Sequence, residues 1–308
     1  MTLLTPGAVW PWPVDDAAVD LEPFVIVEWG KRGNSQKWLA YEEDAWNLLG
    51  RSATPVWLIK AAQDAIAERL TYLISRQIDL PCQHVFWGLL DNIPIAAIRF
   101  IPQACSMRRL HYRSDGSPYV IVQRHRINVL NQQDCIGYRA LQTLFADFDG
   151  GECLIDPNYG LIIRVDGADG HSWASQGHVS LPEEDPGMLQ ELIQRLRKFD
   201  VSDELDWSTE NVQDALRELV NQSRERLQTG PDVDGAIHSI QAASYIRDED
   251  RPLMLHTLRM LGNCHGLPKR IADGFWNAPI ASVRRMGDGV EQGLTSMCIA
   301  LARSLPSE

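Results

Sequence analysis

The chain has 308 residues, of which 44% are hydrophobic and 23% are charged, and its formal net charge is -12. This composition is typical of a folded globular protein with room for two lobes, and it excludes a wholly disordered chain. The negative charge provides no basic stripe for phosphate backbones, so we expect no direct nucleic-acid binding, although a local basic cleft would escape this argument.

The cysteines and the apolar runs indicate the cellular setting. Six cysteines are spread along the chain without a Cys-x-x-Cys pair, which disfavours a zinc site and a disulfide framework. No run of about 18 apolar residues occurs, and the N-terminus lacks the basic region and apolar stretch of a secretory signal. We therefore expect a cytoplasmic protein with no membrane segment, although a specialised secretion system would leave no such mark. The cysteines are Cys82, Cys105, Cys135, Cys153, Cys264 and Cys298.

The first third of the chain predicts a compact β-rich lobe. Prolines around Trp10 and Trp12 prevent regular helix, so residues 1–22 are expected to form an extended N-terminal segment. Across residues 23–103, short β-prone runs alternate with turn-forming residues. One main helix is predicted over 62–78, where apolar residues recur at helical spacing. The β-prone runs lie at 24–29, 38–41, 56–60, 84–90 and 95–101.

Residues 104–308 predict a larger, mostly α-helical lobe. A helix is predicted over 136–146, and two short strands within 152–166 are joined by a turn from Asp156 to Gly160. Beyond residue 185 the pattern is helical, and we favour a helical subdomain 185–308 that completes this lobe over a separate domain. Helix starts are predicted at Asp185, at Ser208 and near Asp248, with Gly262 and Gly266 as stop signals.

A glycine-bearing turn lies between the first two predicted strands and reads Gly30-Lys-Arg-Gly33-Asn-Ser-Gln36. Small residues in such a turn let backbone N–H groups approach the phosphates of ATP. Gly33, Ser35 and Gln36 are therefore candidate nucleotide ligands. An ordinary hairpin turn has the same composition, so both interpretations stay open.

Lys60 ends an apolar strand, and Glu68 follows eight positions later on the predicted helix. A lysine at this place can contact nucleotide phosphates while a carboxylate on the helix holds its ammonium group, as in kinases. However, Glu68 lies opposite the apolar stripe of the helix, so a solvated glutamate explains its position equally well. Asp64 is the substitute if the register differs by one turn.

The predicted strand 95–101 ends at Pro102, and a strand that leads into an adenine-contacting hinge has this pattern. Phe100 and Ile101 are the candidate contacts. The end of any buried strand has the same pattern, so the hinge interpretation depends on its neighbours.

A cluster of acidic residues follows in the catalytic segment 144–170. Phosphoryl transfer needs a carboxylate near the acceptor hydroxyl and ligands for one or two Mg²⁺ ions. Asp147 and position 152 match an Asp-x-x-x-x-Asn spacing, and Asp166 ends an apolar strand just before Gly167. Each aspartate alone is typical of a surface turn. Their joint spacing downstream of Lys60 favours a catalytic role for Asp147 and metal binding by Glu152 and Asp166.

These motifs resemble those of the HipA-like kinases, bacterial relatives of the protein kinase and phosphoinositide kinase fold, over roughly residues 25–172. The resemblance implies a bilobal fold of the α+β class, with a β-rich N-lobe over 23–103 and a mostly α-helical C-lobe over 104–308. It implies ATP and Mg²⁺ as cofactors and Ser/Thr phosphorylation, in family members often by the toxin of a toxin–antitoxin pair. The matching motifs are Gly33-Asn-Ser-Gln36, Pro55 to Lys60, Glu68, Leu80-Pro81, and Asp147 to Asp166.

The chain departs from this family in the catalytic loop. Phe148 and Asp149 replace the family's Arg and His, and Glu152 replaces its metal-binding Asn. A glutamate is still a Mg²⁺ ligand, but it adds a charge and a longer reach. Three close carboxylates would also repel ATP phosphates when no metal is bound.

Three functions from different classes follow from these residues. The first is an ATP-dependent phosphotransferase acting on a protein substrate, and the second is a pseudokinase or nucleotide-binding module that binds a regulatory protein, such as a small DNA-binding antitoxin. The third, less favoured, is another chemistry on ATP or a lipid headgroup as acceptor. Nucleophilic catalysis has little support, because Cys153 lies in an apolar strand and Cys264 has only His265 beside it.

Overall fold

The computed structural model describes nine stretches of the chain, and these belong to the α+β class. The described residues are 19–29, 37–60, 62–90, 93–102, 104–107, 110–145, 153–165, 230–278 and 281–306.

A curled, mixed six-stranded sheet forms the first half of the described chain. Its strand order is β1-β5-β6-β4-β3-β2, and every neighbouring pair is antiparallel except β1 and β5. The order places the strand that ends at Lys60 in the middle of the sheet. The strands are β1 (Val19–Asp20), β2 (Phe24–Glu28), β3 (Lys37–Glu42), β4 (Trp57–Lys60), β5 (Val85–Leu90) and β6 (Ile93–Arg99).

The two faces of this sheet pack into different hydrophobic clusters, because side chains alternate along each strand. Leu58 and Lys60 lie on one face of β4, and Ile59 lies on the other. The face with Lys60 joins the main core, which extends into the C-terminal helices. The face with Ile59 belongs to a separate cluster.

Helix α2 (Ala62–Gln77) lies against β5 and β6 on the Lys60 face of the sheet. A short helix α1 (Glu43–Leu49) packs near β3 on the same half of the chain and was not predicted. Trp87 is 1% exposed, and its indole N–H donates to the carbonyl of Gly274 at 3.1 Å. This bond ties the sheet to the helices near the C-terminus.

Two small sheets follow the main one, so the region from 104 onward is less purely helical than predicted. β7 (Cys105–Met107) pairs with β11 (Cys153–Asp156), which pairs with β12 (Leu161–Arg164). The other sheet has the order β10-β9-β8. Its strands are β8 (His111–Tyr112), β9 (Pro118–Val122) and β10 (His125–Asn128).

Helix α3 and four helices near the C-terminus complete the main core. Leu258, Ile271, Phe275 and Leu294 are fully buried in it together with Leu141 from α3. In the described part of the chain, no helix is both long enough and apolar enough to cross a membrane. The helices are α3 (Gln132–Leu144), α4 (Val233–Ala242), α5 (Asp250–Gly262), α6 (Leu267–Trp276) and α7 (Ala281–Ser304).

Most predicted elements are confirmed, with shifted ends. α3 begins four residues before the predicted start at 136, and Asn131 stands at its N-terminal cap position without a side-chain cap hydrogen bond. The helix expected near Asp248 is α5, which ends at Gly262, the first of the two predicted stop signals. The second, Gly266, instead has a φ of 70° at the N-terminal cap position of α6. The helix starts predicted at Asp185 and Ser208 lie outside the described residues.

Candidate functional site

An ion pair inside the first lobe joins the end of β4 to helix α2. The ammonium group of Lys60 donates to Oε1 of Glu68, and the two side chains are only 2% and 4% exposed. Nearly two turns of helix separate the start of α2 at Ala62 from Glu68, and the carboxylate lies over the strand end. The sequence spacing of eight residues therefore produces a direct contact between the two groups.

The alternative of a solvated glutamate at position 68 is wrong, because residues 67–75 of α2 are all buried, on every side of the helix. Ala67 and Leu70 lie beside Glu68 with no exposed surface, and Tyr72 and Ile74 are also buried. The helix lies between the sheet and α6, so both its apolar stripe and its opposite face are covered. An amphipathic pattern alone does not reveal this, because it assumes one solvent-facing side. The side chain of Asp64 lies outside the described residues.

A second lysine lies directly across the sheet from Lys60. In the antiparallel register of β3 and β4, Lys37 is the partner of Lys60, so the two side chains project from the same face. Like charges that face each other across strands are destabilising unless anionic groups lie near them. The position therefore suits an anion with several charges. Sequence analysis missed Lys37, although it follows the glycine-bearing turn immediately.

An apolar cluster on the same face of the sheet lies next to this charged group. Leu39 and Leu58, each two residues from a lysine along its strand, pack with Phe100 and Val27. The backbone N–H of Phe100 donates to the carbonyl of Val56 at 3.0 Å, which fixes the exit of the chain from β6. Ile101 is half-buried beside the exposed Pro102. The predicted contacts Phe100 and Ile101 thus lie just after the end of β6, near the start of β4.

The β11–β12 hairpin is held in place by a buried asparagine. Asn131 donates from Nδ2 to the carbonyl of Ile162 and accepts from its N–H, both at 2.8 Å. The turn of this hairpin runs from Asp156 to Gly160, as predicted, and Gly160 has a φ of 65°. A β-carbon at Gly160 would lie 2.2 Å from the carbonyl oxygen of Asn128, so only glycine fits there.

The end of this hairpin is tied to the segment that follows α2. Arg164 is 1% exposed, its N–H donates to the carbonyl of Pro81, and its carbonyl accepts from the N–H of Gln83, both at 3.3 Å. Tyr138 of α3 donates to the same Pro81 carbonyl. The last strand residue before position 166 is therefore anchored beside the exit of the helix that carries Glu68.

The buried thiols near this anchor are not nucleophiles. Burial raises the pKa of the Cys82 thiol to about 12, far above neutral pH, so the thiolate is not populated. Cys153 is 5% exposed in β11, in agreement with the structural role expected from its apolar run. Cys264 is half-buried, its thiol lies 3.6 Å from the carbonyl of Gln77, and it contacts Arg270 rather than a catalytic base.

Six of the predicted site residues lie outside the described residues: Gly33, Ser35, Gln36, Asp147, Glu152 and Asp166. Among the described side chains, no group of three or more His, Cys, Asp or Glu is placed to hold a metal ion. The predicted metal ligands Glu152 and Asp166 do not belong to these described side chains. The structure thus brings together Lys60, Glu68, Lys37 and the cluster around Leu58 and Phe100.

Comparison of the chain with protein-family models, with curated proteins and with solved structures found no match.

Proposed function

We propose that the protein is an ATP- and Mg²⁺-dependent phosphotransferase of the HipA-like kind, with a bilobal protein-kinase-like fold. The buried Lys60–Glu68 ion pair carries this proposal. Removing two charges from water is costly, and apolar residues of similar size are often as stable as a buried pair. Stability alone therefore does not explain why the pair is present beside a second lysine. The positive charge of the two lysines suits the phosphates of ATP.

The order of the elements supports the same reaction. A glycine-bearing turn between β2 and β3, a strand lysine in β4, a helix glutamate in α2 and a chain exit after β6 follow the order that kinases need to hold ATP. In this proposal, Lys60 and Lys37 contact the phosphates, and Glu68 orients Lys60. Gly33, Ser35 and Gln36 supply the loop over the phosphates.

The apolar cluster beyond Lys60 suits an adenine ring. Leu39 and Leu58 lie on the phosphate-contacting face, and Phe100 closes the cluster at the chain exit. Ligand sites for flat rings are lined by apolar side chains with a few backbone polar groups. In this proposal, Phe100 and Ile101, which follow β6, form the hinge that contacts adenine.

The acidic residues complete the reaction in this proposal. Asp147 would orient and deprotonate the acceptor hydroxyl, and Glu152 with Asp166 would hold Mg²⁺ on the phosphates. The two hydrogen bonds at Arg164 anchor the strand that leads to Asp166 against the exit of α2. This supports a shared site for Asp166 and the Lys60–Glu68 pair.

The second candidate is a pseudokinase that binds a regulatory protein, for example a small DNA-binding antitoxin. It is favoured by Glu152 in place of the family's Asn and by Phe148 and Asp149 in place of its Arg and His. A third carboxylate near the metal changes the ligand charge and geometry, so nucleotide binding without transfer is the expected result if this candidate holds.

The test combines a thermal shift with transfer of labelled phosphate from Mg-ATP. Three variants remove groups of the proposed site: Asp147→Ala, Asp166→Ala and the double variant Lys60→Met with Glu68→Leu. The double variant removes the ion pair without leaving one charge buried. The matched control replaces an exposed lysine and an exposed glutamate, Lys269→Met with Glu249→Leu.

We expect Mg-ATP to stabilise the wild type, by about 2.7 kcal/mol at a hundredfold excess over Kd. The double variant at the ion pair should fold but lose this shift, and the control should keep it. Absence of a wild-type shift would refute nucleotide binding. A shift without phosphate transfer would instead support the pseudokinase, and Glu152→Asn then tests whether that residue is the cause.

A further inference from the structure

The sheet of β8, β9 and β10 has one buried face and one open face. Val120 is 1% exposed, and it packs into the main core with Val122 and Ile127. The alternate positions of the same strands project from the other face, since side chains alternate along a strand. The residues on that open face are His111, Tyr119, Ile121, Arg126 and Asn128, with Arg113 just beyond β8.

Two arginines and a histidine surround Tyr119 on this open face. The guanidinium groups of Arg113 and Arg126 lie 5.7 and 5.2 Å from the centre of the Tyr119 ring. The His111 ring is stacked on the same tyrosine at 5.3 Å. Arg113 also donates to Oδ1 of Asn128 at 2.6 Å. These contacts hold both guanidinium groups in fixed orientations, which lowers the entropy lost when they bind an anion.

Arginines outnumber carboxylates in and around this sheet. Residues 105–128 contain five arginines and one aspartate, in a chain whose net charge is -12. That aspartate, Asp115, accepts from the N–H and the hydroxyl of Ser117 at 2.9 and 2.6 Å. Within the described residues, Arg113, Arg124 and Arg126 have no ion pair with a carboxylate, although all three are exposed.

The turn between β9 and β10 keeps an arginine at a strained position. Gln123 and Arg124 have φ angles of 48° and 71°, in the left-handed region that Asn and Gly occupy in two-residue hairpin turns. A side chain with a β-carbon is disfavoured there. A charged residue on β10, such as Arg126, is explained by protection of an edge strand against pairing with another chain. That explanation does not require an arginine at the strained position 124.

Exposed apolar side chains accompany the charges. Ile121 is 54% exposed and lies directly opposite Arg126 across the two strands. Leu130, 61% exposed, follows β10 and lies beside the hairpin turn at Gly160. We name the surface formed by Arg113, Tyr119, Ile121, Arg124 and Arg126 the cationic face.

We propose that the cationic face binds an acidic segment of a partner polypeptide that carries apolar side chains among its carboxylates. Ile121 offers a contact for an apolar side chain, which a phosphate backbone does not provide. The Tyr119 ring is already covered by arginine and histidine, so it does not offer the open stacking platform that single-stranded nucleic acid uses. β8 and β10 are two strand spacings apart, about 10 Å, so one acidic segment lying across the strands can reach the arginines on both sides of Tyr119.

The test measures fluorescence anisotropy of a labelled peptide of Glu-Asp-Leu repeats, with a Gln-Asn-Leu repeat and a thymidine oligonucleotide of equal length as comparison probes. The double variant Arg113→Gln with Arg126→Gln removes two charges from the cationic face. Arg51→Gln with Arg303→Gln removes two exposed charges elsewhere and is the matched control. Arg124→Gly removes one charge while relieving the strained φ, so loss of binding cannot be attributed to a weakened fold.

We expect the acidic peptide to bind the full-length protein more tightly than either comparison probe, and more weakly at high salt. The double variant at the cationic face should raise Kd about tenfold, and the control should change it less than about twofold. Arg124→Gly should raise Kd while the melting temperature stays equal or increases. The proposal is overturned if the peptide fails to bind at about 1 mM, if the control weakens binding equally, or if the oligonucleotide binds more tightly.

Discussion

The Lys60–Glu68 pair allows a sharp prediction about stability. Glu68→Gln or Lys60→Met leaves one charge in a site where the two side chains are 2% and 4% exposed. Breaking a buried pair in this way lowers the free energy of unfolding by about 3–5 kcal/mol. Replacing both residues with apolar ones, Lys60→Met with Glu68→Leu, should leave the free energy of unfolding unchanged or raise it by up to about 4 kcal/mol.

The assay is urea unfolding followed by tryptophan fluorescence, with Trp87 as a buried reporter between the sheet and α6. The matched control is Glu249→Gln, which breaks a pair whose side chains are 42% and 74% exposed and should change stability by less than about 1 kcal/mol. The reasoning fails if Glu68→Gln is no more harmful than Glu249→Gln. It also fails if the double variant loses the sum of the two single losses, because neighbours in one buried pair must be strongly coupled.

Three further predictions concern the hairpin, its support and the buried thiols. Gly160→Ala should lower the free energy of unfolding by more than about 2 kcal/mol, because its β-carbon would meet the Asn128 carbonyl oxygen at 2.2 Å. Gly116 has a similar φ of 81°, but a β-carbon there would meet no other atom, so Gly116→Ala should lower the free energy of unfolding less. The difference between the two variants in urea unfolding measures the clash, and equal losses would contradict this account. Asn131→Ala should lower the free energy of unfolding by about 2 kcal/mol, because the N–H and carbonyl of Ile162 lose their hydrogen bonds to the Asn131 side chain. Asn158→Ala in the hairpin turn is the comparison variant and should lower it less. Cys82 has a pKa raised to about 12 when folded, so the folded state keeps the proton that the unfolded chain releases above about pH 8.5. Stability should therefore fall as pH rises from about 8.5 towards 12, and Cys82→Ala should show a shallower fall in melting temperature between about pH 8.5 and 10; an identical fall in both proteins would refute the assignment.

The local elements were predictable because their signals lie within a few residues. The β-prone runs that became β2 to β6 are bounded by turn formers, and α2 has an apolar stripe that stops before Leu80-Pro81. The turn from Asp156 to Gly160 carries Pro, Asn and Gly, and it forms as predicted. By contrast, β8 and β10 are short and mostly polar, so their pairing with β9 depends on contacts that no local pattern shows.

The start of α3 and the presence of α1 show a second limit. Asn131 stands at the N-terminal cap position of α3, but its side chain bonds to Ile162 in β12 instead of capping the helix. Helix α1 begins without a side-chain cap, after β3 has ended at Glu42. Neither helix has a side-chain cap at its N-terminus, so capping rules alone did not locate these two boundaries.

By itself the sequence determined the spacing of the candidate site: a lysine at a strand end, a glutamate eight residues later and an apolar run that leads to Asp166. It left two readings of Glu68 open, because a helical pattern states which residues share a face but not whether the opposite face meets water. Only the tertiary structure decided between them. It places α2 between the sheet and α6, so Glu68 is shielded from solvent and accepts a hydrogen bond from Lys60. The same packing set Lys37 opposite Lys60, since strand register is fixed by which faces become buried.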